Sequence, residues 1–240
     1  MKILVLGASG ATGKLLVQQL IGQGQHVKVI VRPSAQLPEN WTRIENLTVI
    51  KALIHEMSVE EMAVHLEECF AMACCLGHSL SLNGIYGKPR KLVTDALRLV
   101  YAASFKNSPS SSLRILLMNT AGNRNRDLAE PVSLGQKIIV ALIRTLLPPH
   151  RDNEEASDFL RLEIGQVHPF IQWAIVRPDS LIDEKSVSEY TIHRSPTRSA
   201  VFNPGKTSRV NVAHFMVSLI QNQALWEKWK GQMPVIYNRD

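Results

Sequence analysis

The residues best suited to chemistry stand at the beginning of the chain, in the run Gly7-Ala8-Ser9-Gly10-Ala11-Thr12-Gly13. A diphosphate binds best against backbone amides at a helix N-terminus, where unpaired N–H groups and the helix dipole favour negative charge and side chains would obstruct approach. Gly7 lets the chain turn sharply out of a strand, Gly10 allows close backbone approach, and Gly13 lets the following helix pack near a sheet. Ala11 adds no bulk, and Ser9 and Thr12 supply hydroxyl donors. The spacing is Gly-x-x-Gly-x-x-Gly rather than Gly-x-Gly-x-x-Gly, so its meaning rests on context: a buried strand before it and an amphipathic helix after it.

That context is present. Residues 2–6 (Lys-Ile-Leu-Val-Leu) are an apolar run that reads as a strand buried on both faces, and the segment after Gly13 carries Leu15, Leu16, Leu20 and Ile21 at helical spacing before Gly22 and Gly24. A second strand is expected at 26–31. Its end selects between two dinucleotides, because a carboxylate there accepts from a ribose 2′-OH whereas a cation meets a 2′-phosphate. Here Arg32 follows the strand, Ser34 adds a hydroxyl, and no carboxylate lies between Gly24 and Pro38. This reads as NADP(H).

The remaining pattern predicts strands at 47–50, 71–76, 114–118, 172–176, 198–202 and 234–237, and helices at 59–70, 90–105, 136–147, 152–164 and 212–221. A loop is expected at 78–88 and a Ser-rich turn at 107–112. Pro148-Pro149 reads as a stop, and the segment 136–147, apolar nearly all round, reads as a core helix; exposed, it would suit self-association or a partner. Alternating strands and helices imply an α/β fold: one Rossmann-type, doubly wound, mostly parallel sheet with helices on both faces, as a single domain over 1–240 whose segments from about 178 to 240 cover the substrate side.

Composition narrows the class. The chain has 240 residues, 45% hydrophobic and 20% charged, and a net charge of +6, values of an ordinary globular domain. Its cations are scattered and no zinc spacing or RNA-binding signature appears, which argues against nucleic acid. No metal-ligand cluster is evident. Cys69, Cys74 and Cys75 are odd in number and sit in an apolar setting, which fits a reducing compartment. With no signal core and no long apolar run, a cytoplasmic protein without membrane insertion is expected, as monomer or homodimer.

Gly7 to Gly13, Val31-Arg32-Pro33, Leu76-Gly77, Asn119-Thr120-Ala121-Gly122 and Val176-Arg177-Pro178-Asp179-Ser180-Leu181, in that order, resemble the atypical short-chain dehydrogenase/reductase superfamily, in its NAD(P)H-binding, NmrA-like and flavin-reductase-like branches. The resemblance implies that Leu76, Gly77, Asn119, Thr120, Arg177 and Pro178 border the cofactor, with Leu53 where relatives often place an Asp near the adenine. One departure is large. Relatives with ordinary redox activity carry Tyr-x-x-x-Lys after the fifth strand, but Tyr86, Tyr101 and Tyr190 have Arg90, Phe105 and Arg194 at that offset, Tyr237 is followed by the chain end, and 152–164 contains neither Tyr nor Lys.

Candidates for chemistry are therefore Thr120, at a place where relatives hold a hydroxyl toward substrate, then Asn119 and His150; each also has a structural reading, as strand-end caps or a loop histidine. Tyr86 and Lys88 border the expected crevice at the wrong offset for the dyad. Arg124 and Arg126 would suit a small substrate that is anionic or flavin-like. The expected activity is hydride transfer from NADPH to such a substrate. A non-catalytic NADP(H)-binding redox sensor or assembly partner of NmrA type is the alternative, and a sugar-nucleotide epimerase the third.

Overall fold

The computed structural model describes residues 1–78, 81–107, 112–130 and 133–239. Most of the Ser-rich turn expected at 107–112, and residues 79 and 80 of the expected loop, lie outside these. Apolar strands β1 (Lys2–Leu6), β2 (His26–Val31), β3 (Leu47–Lys51), β4 (Cys69–Cys74), β5 (Leu113–Met118) and β6 (Ile171–Pro178) pair in parallel in the order β3-β2-β1-β4-β5-β6. Two further strands complete the sheet. These are β10 (Val235–Asn238), parallel to β6, and β8 (Tyr190–His193), antiparallel at the edge. A separate parallel pair joins β7 (Ser180–Ile182) to β9 (Lys206–Ser208).

Both faces of the sheet are covered, which explains why its strands read as continuous apolar runs rather than alternating ones. On one face α1 (Ala11–Gly22), α7 (Arg209–Gln221) and α8 (Gln223–Trp229) bury Leu16, Leu20, Phe215, Leu219 and Trp226 against Val5, Val29 and Ala174. On the other, α2 (Val59–Leu66), α4 (Leu92–Ser104) and α6 (Pro148–Asp158) bury Met62, Leu97 and Ala156 against Leu4, Met72 and Ile115. A π-helical turn, 159–164, continues α6 and ends at Gly165. The sheet order reverses between β1 and β4, the place where doubly wound folds open a crevice.

Several expectations are corrected. The strand expected at 198–202 is a turn: the Ser199 hydroxyl accepts from the Val201 and Phe202 amides, and Phe202 is 60% exposed. The strand in this region is β8, and β7, β9, α8 and the short α3 (Leu82–Tyr86), inside the expected loop, are additional. The helix expected to reach 70 stops at Leu66, since β4 already begins at Cys69. Part of the C-terminal segment is not a cover, because α7, α8 and β10 build the main core and sheet. Pro148 starts a helix as well as stopping one. α5 (Leu134–Leu146) gives way at Leu147, which is extended as residues before proline tend to be, and Pro148 opens α6, where its missing N–H costs nothing.

The helix expected in the core is instead on the surface. No described side chain of α5 is buried, and Leu134, Ile138, Leu142 and Leu146 are 74%, 55%, 56% and 62% exposed. Among the described residues no helix is long and apolar enough to cross a membrane.

Candidate functional site

The glycine-rich turn is shaped by contacts that admit no side chain. Gly7 has φ +78°, and a Cβ there would overlap the Cys75 carbonyl and the Leu76 amide at the end of neighbouring β4. A Cβ on Gly13 would overlap the Gly7 carbonyl, so first helical turn and strand end lie backbone to backbone. Gly10 is exposed and is the N-cap of α1 with no side chain capping it, and the first turn of α1 holds no acidic residue. The amides of Ala11, Thr12 and Gly13 are therefore the uncompensated donors of the helix end, and this cradle fits a diphosphate.

From this turn a cleft of about 670 Å³ runs across the carboxyl ends of β1 to β4. Gly7, Ser9, Gly10, Arg32, Ser34, Leu53, Leu76 and Gly77, all read from sequence as cofactor candidates, line it. Arg32 and Ser34 are exposed at the end of β2, and the Arg32 guanidinium has no hydrogen-bond or ion-pair partner among the described residues. Ala11, Thr12 and Gly13 are not among its lining residues: Ala11 is exposed, and the other two are buried in α1. Sequence reading missed Ile54, His55, Cys75, His78 and Leu92 as lining. Tyr86 is engaged elsewhere, donating to the Leu146 carbonyl, whereas Lys88 does line the cleft.

His78 connects this cleft to α6. One ring nitrogen lies 3.2 Å from the Gly84 carbonyl and the other 2.8 Å from Asp152 Oδ2. Asp152, 1% exposed, also accepts from the amides of Val93 and Thr94 and from the Thr94 hydroxyl, so it closes the N-terminus of α4. Burial works to raise its pKa, but the bonds from His78, Thr94 and the two amides outweigh that and hold it below the usual carboxylate value. An Asp in a polar helix and a His after a strand carry no sequence signal of their pairing, since 74 positions separate them.

Beyond β5 the expected chemical residues divide. Asn119 is 7% exposed and committed: its amide donates to the Asn153 carbonyl and its side-chain oxygen accepts from the Thr120 amide. Thr120 Oγ1 accepts from the Gly122 amide, which leaves its O–H free to donate. His150 lies in the first turn of α6, with a buried ring nitrogen 3.5 Å from Glu154 Oε1 and without a hydrogen-bond partner. Arg177, expected beside the cofactor, is fully buried instead. Its guanidinium donates to the Met233, Asn123 and Arg194 carbonyls and to both oxygens of Glu130. Pro178 is buried and its carbonyl accepts from the Ala121 amide, fixing the loop after β5.

A second cavity, about 320 Å³, opens where that loop meets α5 and the segment at 196–198. Its wall includes Arg144 and Glu154, joined by two bonds of 2.6 and 2.8 Å. The thiols are unsuited to chemistry: Cys74 is wholly buried and its pKa is pushed up to about 12, and burial raises Cys75 as well. No group of acidic, His and Cys side chains able to hold a metal occurs among the described residues.

Fold and cleft together define a dinucleotide-binding protein of the doubly wound α/β class. The narrower assignment follows from a family model described as NAD(P)H-binding, which matches residues 7–223: the chain belongs to this family of atypical short-chain dehydrogenase/reductases. No curated protein sequence matches it. Among solved structures it is similar to an oxidoreductase from Lactococcus lactis, at 17% identity and TM-score 0.70, over 100% of this chain and 92% of that one. A short-chain dehydrogenase/reductase from Veillonella parvula in complex with NADP aligns at 14% identity and TM-score 0.67, over 99% and 94% of the chains. An anaerobillin reductase from Escherichia coli O157:H7 aligns at 17% identity and TM-score 0.67, over 100% and 98%.

Two outcomes are expected from these contacts. Gly10→Ala, whose Cβ would meet only the Gly7 carbonyl at 3.3 Å, keeps an unfolding midpoint near wild type but weakens dinucleotide binding at least about 10-fold, because the methyl group obstructs the cradle. Gly7→Ala, strained in φ and overlapping backbone, lowers stability as well; urea unfolding and calorimetric titration of both variants separate the effects.

The second concerns acid stability. Burial works to raise the pKa of Glu154, but His150 alongside and the two Arg144 bonds hold it down to about 2. A carboxylate depressed on folding stabilises the protein above its unfolded value of about 4.3 and loses that contribution as pH falls toward its folded value. Wild-type stability should therefore drop between about pH 4.5 and 2, and Glu154→Gln should show a lower plateau near neutrality with a shallower acid limb in thermal unfolding.

Proposed function

We propose that this protein is an NADP(H)-dependent reductase that delivers hydride to a small or flavin-like acceptor. One observation carries the cofactor preference: the unpaired Arg32 guanidinium at the end of β2, in the same cleft as the glycine turn. A 2′-phosphate there meets a planar, permanently charged donor, with the Ser34 hydroxyl alongside, and no carboxylate stands at that strand end to accept from a ribose hydroxyl.

Bound NADPH supplies the hydride, so the chain has to hold, orient and shield. The amides of Ala11, Thr12 and Gly13 receive the diphosphate, and Leu53 and Leu76 line the floor of the cleft. The Thr120 hydroxyl, its oxygen fixed by the Gly122 amide, offers its proton toward an acceptor oxygen or ring nitrogen above the end of β5. Asn119 acts as a positioning residue, holding the Thr120 amide from one side and α6 from the other. His150 stands back from both cavities and is assigned to the environment of Glu154.

The exposed apolar stripe of α5 and the missing Tyr/Lys pair favour a second reading, a cofactor-loaded sensor that docks a partner. Following the reduced-nicotinamide absorbance with flavins, quinones and aldehydes decides between them. The reductase reading expects oxidation above the protein-free rate and a kcat reduced at least about 10-fold in Thr120→Val. Arg32→Gln should weaken NADPH about 10- to 100-fold while leaving NADH affinity within about 2-fold, as expected for loss of charge-assisted bonds. Tight NADPH binding without turnover of any acceptor would support the sensor.

A further inference from the structure

The second cavity draws arginines from three separate parts of the chain. Arg124 and Arg126 come from the loop after β5, Arg144 from α5, and Arg198 from the segment before β9. The two lining carboxylates are already engaged, Glu130 by both oxygens with Arg177 and Glu154 by both oxygens with Arg144. Arg126 shares Asp158 Oδ2 at 2.9 Å. Arg124 is exposed and has no hydrogen-bond or ion-pair partner among the described residues.

The loop that presents these cations is built with unusual economy of freedom. In Asn123-Arg124-Asn125-Arg126 the asparagines point inward and the arginines outward. Asn123, 3% exposed, donates to the Asn153 carbonyl and the Ser157 hydroxyl, and its own carbonyl accepts from Arg177. Asn125, 4% exposed, accepts from the Asp127 amide, and its own amide donates to Glu130. A loop that served only to join β5 to α5 would have no need of two buried amides and a buried ion pair, whose desolvation must be offset by geometry. What this anchoring achieves is a fixed backbone beneath Arg124 and Arg126, in a cavity whose lining also includes the apolar Val140, Ala141 and Pro196.

We propose that this cavity is the acceptor subsite and that it selects substrates carrying an oxyanion, a carboxylate or a phosphate, on an apolar body, with Arg124 as the selecting residue. The inference rests on the reductase reading for what happens to the bound molecule. Ala121 and Gly122, in its wall, follow Thr120 directly, so a molecule whose anion is held at Arg124 has its body beside the end of β5. A planar guanidinium with all donors free pairs bidentately with either oxyanion, and a cavity of about 320 Å³ is within the range of small-molecule sites.

Matched probes test this on the full-length protein loaded with NADP. FMN and riboflavin differ only in the phosphate, 4-formylbenzoate and benzaldehyde only in the carboxylate, and dissociation constants come from flavin fluorescence and calorimetric titration. At least one anionic member should bind about 10- to 100-fold more tightly than its neutral twin, with a preference that shrinks between low and high salt. Arg124→Gln should erase that preference and Arg124→Lys restore part of it. Preference within the first pair alone assigns a phosphate, within the second a carboxylate. Equal binding of both members in both pairs, or a preference untouched by Arg124→Gln, would overturn the proposal. These outcomes are independent of turnover: anion selectivity without NADPH oxidation defeats the reductase reading and keeps the subsite, and oxidation without selectivity does the reverse.

Discussion

The side of this molecule that carries the second cavity depends on one buried ion pair. Arg177, wholly enclosed at the end of β6, meets both oxygens of Glu130 and spends its remaining donors on the carbonyls of Asn123, Arg194 and Met233. Enclosing two charges costs several kcal/mol each and is offset only where every donor finds an acceptor of good geometry. Those acceptors come from the loop after β5, from the segment after β8 and from the approach to β10. Segments that the topology leaves as independent loops are thereby fixed to a single guanidinium, and a Lys, a point charge with no fork, could not span them.

A second set of bonds couples the cofactor side to the same frame. Asp152 of α6 ties down the N-terminus of α4 and His78 after β4, and the neighbouring Asn153 carbonyl receives Asn119 and Asn123 from the loop after β5. One helix thus sets the ends of β4 and β5 relative to each other. Thr120 is held in place because the residues on either side of it are anchored, Asn119 to α6 and Ala121 to the Pro178 carbonyl.

What could be read from sequence follows the range of the forces involved. The glycine turn, β1 and β2 are set by local sterics and by burial on both faces, so Gly7 to Gly13, the apolar run before them and Arg32 after β2 declare themselves. The strands β7, β8 and β9 are three or four residues long with partners more than 20 positions away, and Ala200-Val201-Phe202 imitates a strand that the Ser199 hydroxyl in fact folds into a turn. Apolar content alone placed α5 in the core, because composition records what a helix could bury and not whether anything lies against it. Arg177 looked like a ligand contact because its position after a strand is informative, while the acceptors that claim it are spread from Asn123 to Met233.

The same long-range bonds explain why a secure dinucleotide site coexists with no Tyr/Lys pair. On α6 the polar groups serve the frame: Asp152 bonds α4 and His78, the Asn153 carbonyl accepts from Asn119 and Asn123, Glu154 pairs with Arg144, Ser157 accepts from Asn123, and Asp158 pairs with Arg126 and Arg161. A helix employed in this way holds loops, and the ring nitrogen of His150 that has no hydrogen-bond partner lies beside Glu154. On the reductase reading proposed above, chemistry on this frame falls to what the loops present, a hydroxyl at Thr120 and cations at Arg124 and Arg126, acting by orientation and charge on a reaction whose electrons come from the cofactor. Rigid loops are worth their desolvation cost under that arrangement, since positioning loses its effect once the positioned groups are free to move.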